Sequence, residues 1–127
     1  MKTESFKKWI LIVTGLLTGG VGLISVLPAL FLDKLFNLAY LQDYDIIIRH
    51  WSASILLAGI FLIISAYKVT WRLPIVLYSI LEKLYLVGIC LFSLRYPYGR
   101  SFAVVIPLDM FMIILLVYVL VAELKKR

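Results

Sequence analysis

The sequence predicts an all-α fold, a bundle of four transmembrane helices in which sequence neighbours run antiparallel, and two observations carry that prediction. Sixty-four per cent of the residues are apolar and the mean hydropathy is +1.05, which exceeds the roughly half-apolar make-up of soluble domains. The apolar residues also gather into four long stretches with most of the Lys and Arg at their ends, the pattern of membrane spans held at the two surfaces. The stretches fill nearly all of residues 1–127 as one domain. Any chemistry must therefore sit between helices, because no soluble catalytic module fits beside them.

The first helix is expected from about Trp9 to Leu27, after Lys2, Lys7 and Lys8. It is too long for the apolar core of a signal peptide, and Leu27-Pro28-Ala29-Leu30-Phe31 offers no small-x-small cleavage site. Gly15 and Gly19, four residues apart, let another backbone approach, with a partner inside the same chain favoured over a dimer. Pro28 ends or kinks the helix. The stretch from Ala29 to Tyr40, with Asp33, Lys34 and Asn37 among apolar residues, reads as a short interfacial segment capping one end of the bundle.

Asp43 and Asp45 precede the second helix, about 46–67, where negative charge suits a helix N-terminus. Ser54, Ala58 and Gly59 form a small-residue stripe on it. The link Lys68 to Pro74 is short and basic, so the second and third helices should be antiparallel neighbours. The third helix, about 73–94, spans about 33 Å at about 1.5 Å per residue, with Glu82 near mid-depth. Arg95-Tyr96-Pro97-Tyr98-Gly99-Arg100 is a turn-rich link to the fourth helix, about 101–121, which contains Pro107 and Asp109.

Sorting the basic residues gives an orientation. Lys2, Lys7, Lys8, Lys68, Arg72, Lys125, Lys126 and Arg127 fall at one surface, against Lys34, Arg49, Arg95 and Arg100 at the other. Positive residues favour the cytoplasm, so both termini are expected there, in a plasma or bacterial inner membrane. The net charge of +6 is explained by these anchors, and nucleic acid is not an expected partner. Cys90 is the only cysteine, which removes an internal disulfide and paired-thiol chemistry and leaves a packing role.

Depth decides which polar groups meet. His50 enters about 6 Å, Asp109 about 12 Å and Glu82 about 18 Å from the outer surface at the same helical rise. Charges at such depth face the bundle interior and mark functional sites by default. Arg49 and His50 are the preferred partners of Asp109. Glu82 is expected to bond Thr18 or Ser54, or to stay neutral because burial raises a carboxyl pKa. Lys83 points about 100° away from Glu82 and either reaches another helix or snorkels.

Two readings stay open. One is structural, a polar layer that fixes the register of four apolar helices. The other is a pocket open to the outer half, with Arg49, His50, Trp51, Tyr78, Glu82 and Asp109 as ligand-binding residues and Tyr85 on its wall. Such a site suits an apolar or amphipathic molecule, a quinone headgroup or a lipid. One histidine cannot supply both axial ligands of a b-type haem, and no metal-ligand spacing or phosphate loop is present. Ser52 and Ser54 read as packing hydroxyls, and an enzyme is not the expected reading.

The glycine-rich first helix ending at Leu27-Pro28, Arg49-His50-Trp51 opening the second, Glu82-Lys83 in the third and the early Asp109 together resemble the DoxX-like group of four-helix membrane proteins. That resemblance implies an accessory subunit of a membrane redox complex or a partner in receptor assembly, with another membrane protein or a second copy as partner. The missing cysteine pair argues against a thiol-redox role. A proton-coupled transporter using Glu82 is the competing functional expectation.

Overall fold

The computed structural model describes residues 2–127. Among the described residues six α-helices follow one another: α1 (Lys2–Val21), α2 (Pro28–Phe36), α3 (Asp45–Tyr67), α4 (Val69–Ser93), α5 (Pro97–Ser101) and α6 (Val105–Leu124). Short 3-10 turns extend α1 and precede α3 and α6, and the described residues form no strand. Four of the resulting segments, Lys2–Ser25, Gln42–Tyr67, Val69–Ser93 and Pro97–Leu124, are long and apolar enough to cross a membrane. The chain is an integral membrane protein built as an all-α four-helix bundle. Around the bundle α1 lies against α3, α3 against α4 and α4 against α6, with a lighter contact closing α6 onto α1.

The closest approach is between α1 and α3, and glycine makes it. A Cβ on Gly59 would lie 2.5 Å from the backbone nitrogen of Gly19 and 2.6 Å from the carbonyl oxygen of Gly15. Small residues allow such backbone contact, which replaces the hydrophobic drive missing between helices in lipid. The partner of the first-helix glycines is thus the chain's own α3.

Element boundaries differ from the sequence pattern in several places: α1 gives way to a 3-10 turn at Gly22 and does not run on to Leu27, the expected Arg95–Arg100 link is helical from Pro97, and α6 runs on to Leu124. Two further differences bear on packing. α1 starts at Lys2 rather than Trp9, because its charged first turns are neutralised inside the bundle: Lys7 pairs with Glu4 at 2.8 Å and with Glu123. α4 starts at Val69, so the expected Lys68–Pro74 link shrinks to Lys68 alone and Pro74 lies inside the helix. A membrane helix tolerates that proline, since neighbouring helices and local adjustment satisfy the freed carbonyl. Pro107 costs α6 nothing, being its third residue, where the amide has no intrahelical acceptor.

α2 covers the end of the bundle opposite the termini. Pro28 sits in its first turn, and Asn37 ends it in the left-handed region (φ 51°) with its N–H donating to the Asp33 carbonyl at 2.8 Å. Leu32 and Phe36 pack there with Ile24, Cys90 and Val105. A second core cluster, with Leu11, Leu62, Val76, Leu116 and Val119, fills the half nearer the termini.

Candidate functional site

Lys83 and Asp109 form the interior pair. Both are buried, on the facing helices α4 and α6, with Lys83 Nζ 3.5 Å from Asp109 Oδ1. The expected contact of Arg49 and His50 with Asp109 is not formed. Arg49 is exposed and held by its own helix turn, Nε donating to Asp45 Oδ1 at 2.8 Å, while its Nη1 donates to the Ser25 carbonyl at 3.0 Å. The pair forms with Lys83 instead because that residue continues the inward stripe of α4 through Arg72, Val76, Ser79 and Val87. It therefore reaches a neighbouring helix rather than snorkelling. Asp109 Oδ2 has no hydrogen-bond partner.

Glu82 turns the other way. It lines a groove of about 400 Å³ between α3 and α4, open to the outside of the bundle, with His50, Trp51, Ser54, Tyr78 and Tyr85 around it. The groove continues past Ser54, Ala58 and Tyr78 into a second stretch of about 400 Å³ that reaches Phe61, Pro74 and Ser79. Its depth comes from α3. Gly59 draws that helix onto α1, while Ser54 and Ala58 on the neighbouring face present little bulk to α4. The predicted small-residue stripe is thus split between a helix contact and a groove wall.

The groove shares Trp51, Ile55, Glu82 and Leu86 with a small inner cavity of about 40 Å³, whose polar lining is Thr18, Glu82, Lys83 and Asp109. That volume holds a water or two. Neither expected partner of Glu82 bonds to it. The Thr18 hydroxyl is directed at Met112 Sδ, 3.9 Å away, and the Ser54 hydroxyl donates to the His50 carbonyl at 2.9 Å. Of the six expected ligand-binding residues, His50, Trp51, Tyr78 and Glu82 line one groove, Asp109 lies behind it and Arg49 lies apart.

A second polar cluster escaped the sequence reading. Arg72 and Lys7, taken there as surface anchors, are 1% and 0% exposed. Arg72 Nη1 bonds Glu123 Oε1 at 2.9 Å and also Glu4, while its other nitrogens donate to the Ser65 and Ala66 carbonyls. Lys126 adds a bond to Glu4 at 2.9 Å. The ends of all four spanning helices therefore meet in one ionic layer. The eleven-residue step from Arg72 to Lys83, three helical turns, was the available signal that both cations face inward.

Among the described residues no group of three His, Cys, Asp or Glu side chains is placed to hold a metal ion. Comparison with protein-family models, with curated proteins and with solved structures matches this chain to none of them.

Proposed function

We propose that the protein binds an amphipathic small molecule, taken from the lipid phase, in the groove between α3 and α4. One observation carries the reading: a carboxyl group about midway along a membrane helix lines an open groove with aromatic walls, and no side chain within the described residues bonds it. Interior ligand clefts are apolar with a few orienting polar groups, and this groove has that make-up. Glu82 and His50 meet the head of the ligand, while its apolar body lies along Ala58, Phe61 and Pro74. The buried Ser79 hydroxyl, which has no partner, offers a further polar contact in that second stretch.

The purely structural reading draws on the Lys83–Asp109 pair, which joins α4 to α6 without any ligand. It leaves Glu82 without a role. We further propose cytoplasmic termini, on the Lys and Arg bias towards that end, and, on the resemblance of the sequence, a DoxX-like accessory role beside a partner membrane protein.

Native mass spectrometry of the protein in mild detergent, before and after delipidation, tests the groove. A discrete bound mass that disappears in Ala58→Phe, which fills the groove, supports it. A bound mass indifferent to Ala58→Phe refutes it.

A further inference from the structure

Three ionisable side chains meet in the middle of the bundle, and their charges do not cancel. Lys83 from α4 supplies one positive charge, whereas Asp109 from α6 and Glu82 from α4 supply two carboxyl groups, all three lining the same inner cavity. The polar group that α1 brings to that cavity is the Thr18 hydroxyl, and the titratable group that α3 brings to the groove is His50. Lys83 is committed to Asp109. Glu82 is left to satisfy its charge from the groove.

An apolar interior does not hold an uncompensated charge, so the position beside Glu82 is filled either by a proton or by a cation from outside. The groove wall suits the second. Trp51, Tyr78 and Tyr85 line the groove, aromatic rings attract cations through the π quadrupole, and Tyr85 is 73% exposed. A small hydrated ion would gain little from rings in a lipid-facing groove, whereas an organic cation with an apolar body would gain from both rings and carboxylate.

We infer that the groove takes a lipophilic organic cation, and that each cation bound displaces one proton from Glu82. This rests on the groove reading and narrows it. The balance is simple: the Glu82 carboxylic acid releases its proton to water, and the resulting carboxylate pairs with the incoming cation. Proton and cation compete for one place.

The test is calorimetric titration of the purified chain with tetraphenylphosphonium across a pH series, in two buffers of different ionisation enthalpy. Expected are one proton released per cation and an affinity that falls about tenfold for each pH unit of acidification below the Glu82 titration, the slope for a single linked proton. Glu82→Gln abolishes binding and proton release together. Asp109→Asn leaves Glu82 balanced by Lys83, so proton release is lost and binding becomes weak and pH-independent. Tyr85→Leu, on an exposed ring, weakens binding without touching the charge balance, and it serves if Glu82→Gln fails to fold. His50→Gln keeps the pH dependence. A pH dependence that vanishes in His50→Gln, or cation binding unchanged by Glu82→Gln or Tyr85→Leu, overturns the inference. A short-chain quinone, which is neutral, separates the two levels. If it binds and Ala58→Phe abolishes it while tetraphenylphosphonium does not bind, the groove stands and the cation does not; if neither probe binds, both readings fall.

Discussion

Replacing Glu123 by Gln should destabilise the bundle more than any other single change in its ionic end layer. Glu123 Oε1 accepts from both Lys7 Nζ and Arg72 Nη1, side chains that are 0% and 1% exposed. The layer holds three cations, Lys7, Arg72 and Lys126, against two carboxylates, Glu4 and Glu123. Without Glu123 the excess grows from one positive charge to two, and Glu4 becomes the only carboxylate for three cations. Removing one member of a buried pair costs about 3–5 kcal/mol. The Glu4 side chain is 39% exposed, so solvent reaches one flank of the layer and the lower end, about 3 kcal/mol, is expected.

The assay is unfolding by titration with sodium dodecyl sulfate in mixed micelles, followed by circular dichroism. Lys126→Ala is the internal reference. That lysine is 58% exposed, and an exposed pair is worth less than about 1 kcal/mol. The double variant Lys7→Met/Glu123→Leu removes one charge of each sign and returns the layer to a single excess cation, so it should recover most of the loss, since apolar groups often replace a buried pair at little cost. Equal losses for Glu123→Gln and Lys126→Ala, or a double variant as unstable as the sum of its singles, would refute the reasoning.

The same titration checks three other expectations. Gly59→Ala should cost about 1–3 kcal/mol, because its methyl would press on the backbone of Gly15 and Gly19, whereas Gly20→Ala, with nothing within 4 Å, should not destabilise. Lys83→Met strands the Asp109 carboxylate and should cost about 3 kcal/mol, largely restored by adding Asp109→Asn. Asn37→Gly should be tolerated and Asn37→Val should lose about 1–2 kcal/mol, since a side chain branched at Cβ resists the left-handed conformation that closes α2.

Hydropathy made the spanning helices legible, because burial in lipid is decided by runs of residues and not by partners, whereas Pro74, read as part of a link, lies inside α4. The short α2 was legible only as an interfacial segment from Ala29 to Tyr40; its actual ends, Pro28 in the first turn and the left-handed Asn37 after Phe36, were not read as such. Polar pairing was a different matter. Depth along a helix places Glu82, Asp109 and His50 on a scale, yet the facing direction depends on which helices are neighbours. α6 lies against α4, so Asp109 finds Lys83 and not the arginine of α3. Lys7 and Arg72 were misplaced because a cation beside a membrane surface normally anchors there, and the carboxylates that make their burial favourable, Glu4 and Glu123, come together only when α1 and α6 meet at the same end. His50, Trp51, Tyr78 and Glu82, expected at one pocket from depth and side-chain character, line one groove, but that the groove runs between α3 and α4 depends on which helices are neighbours, which the sequence does not state.

The two polar layers differ in what they leave over, and that difference predicts separable phenotypes. In the end layer every carboxylate is paired; in the middle layer Glu82 and Asp109 Oδ2 are not. Between them Leu11, Leu62, Val76 and Leu116 fill the bundle axis with apolar side chains. The layers share no hydrogen bond, and energetic effects of sites without shared partners add to within about 0.5 kcal/mol. Glu82→Gln should therefore abolish ligand binding at unchanged stability, Glu123→Gln should lower stability at unchanged affinity, and the double variant should show both losses in full. Affinity that drops in Glu123→Gln under conditions where the chain is fully folded would mean that the layers are coupled through the core. The apolar layer would then be a transmitting element rather than a partition, and a mechanism that moves protons or ligand from the groove towards the terminal end would take precedence over simple binding.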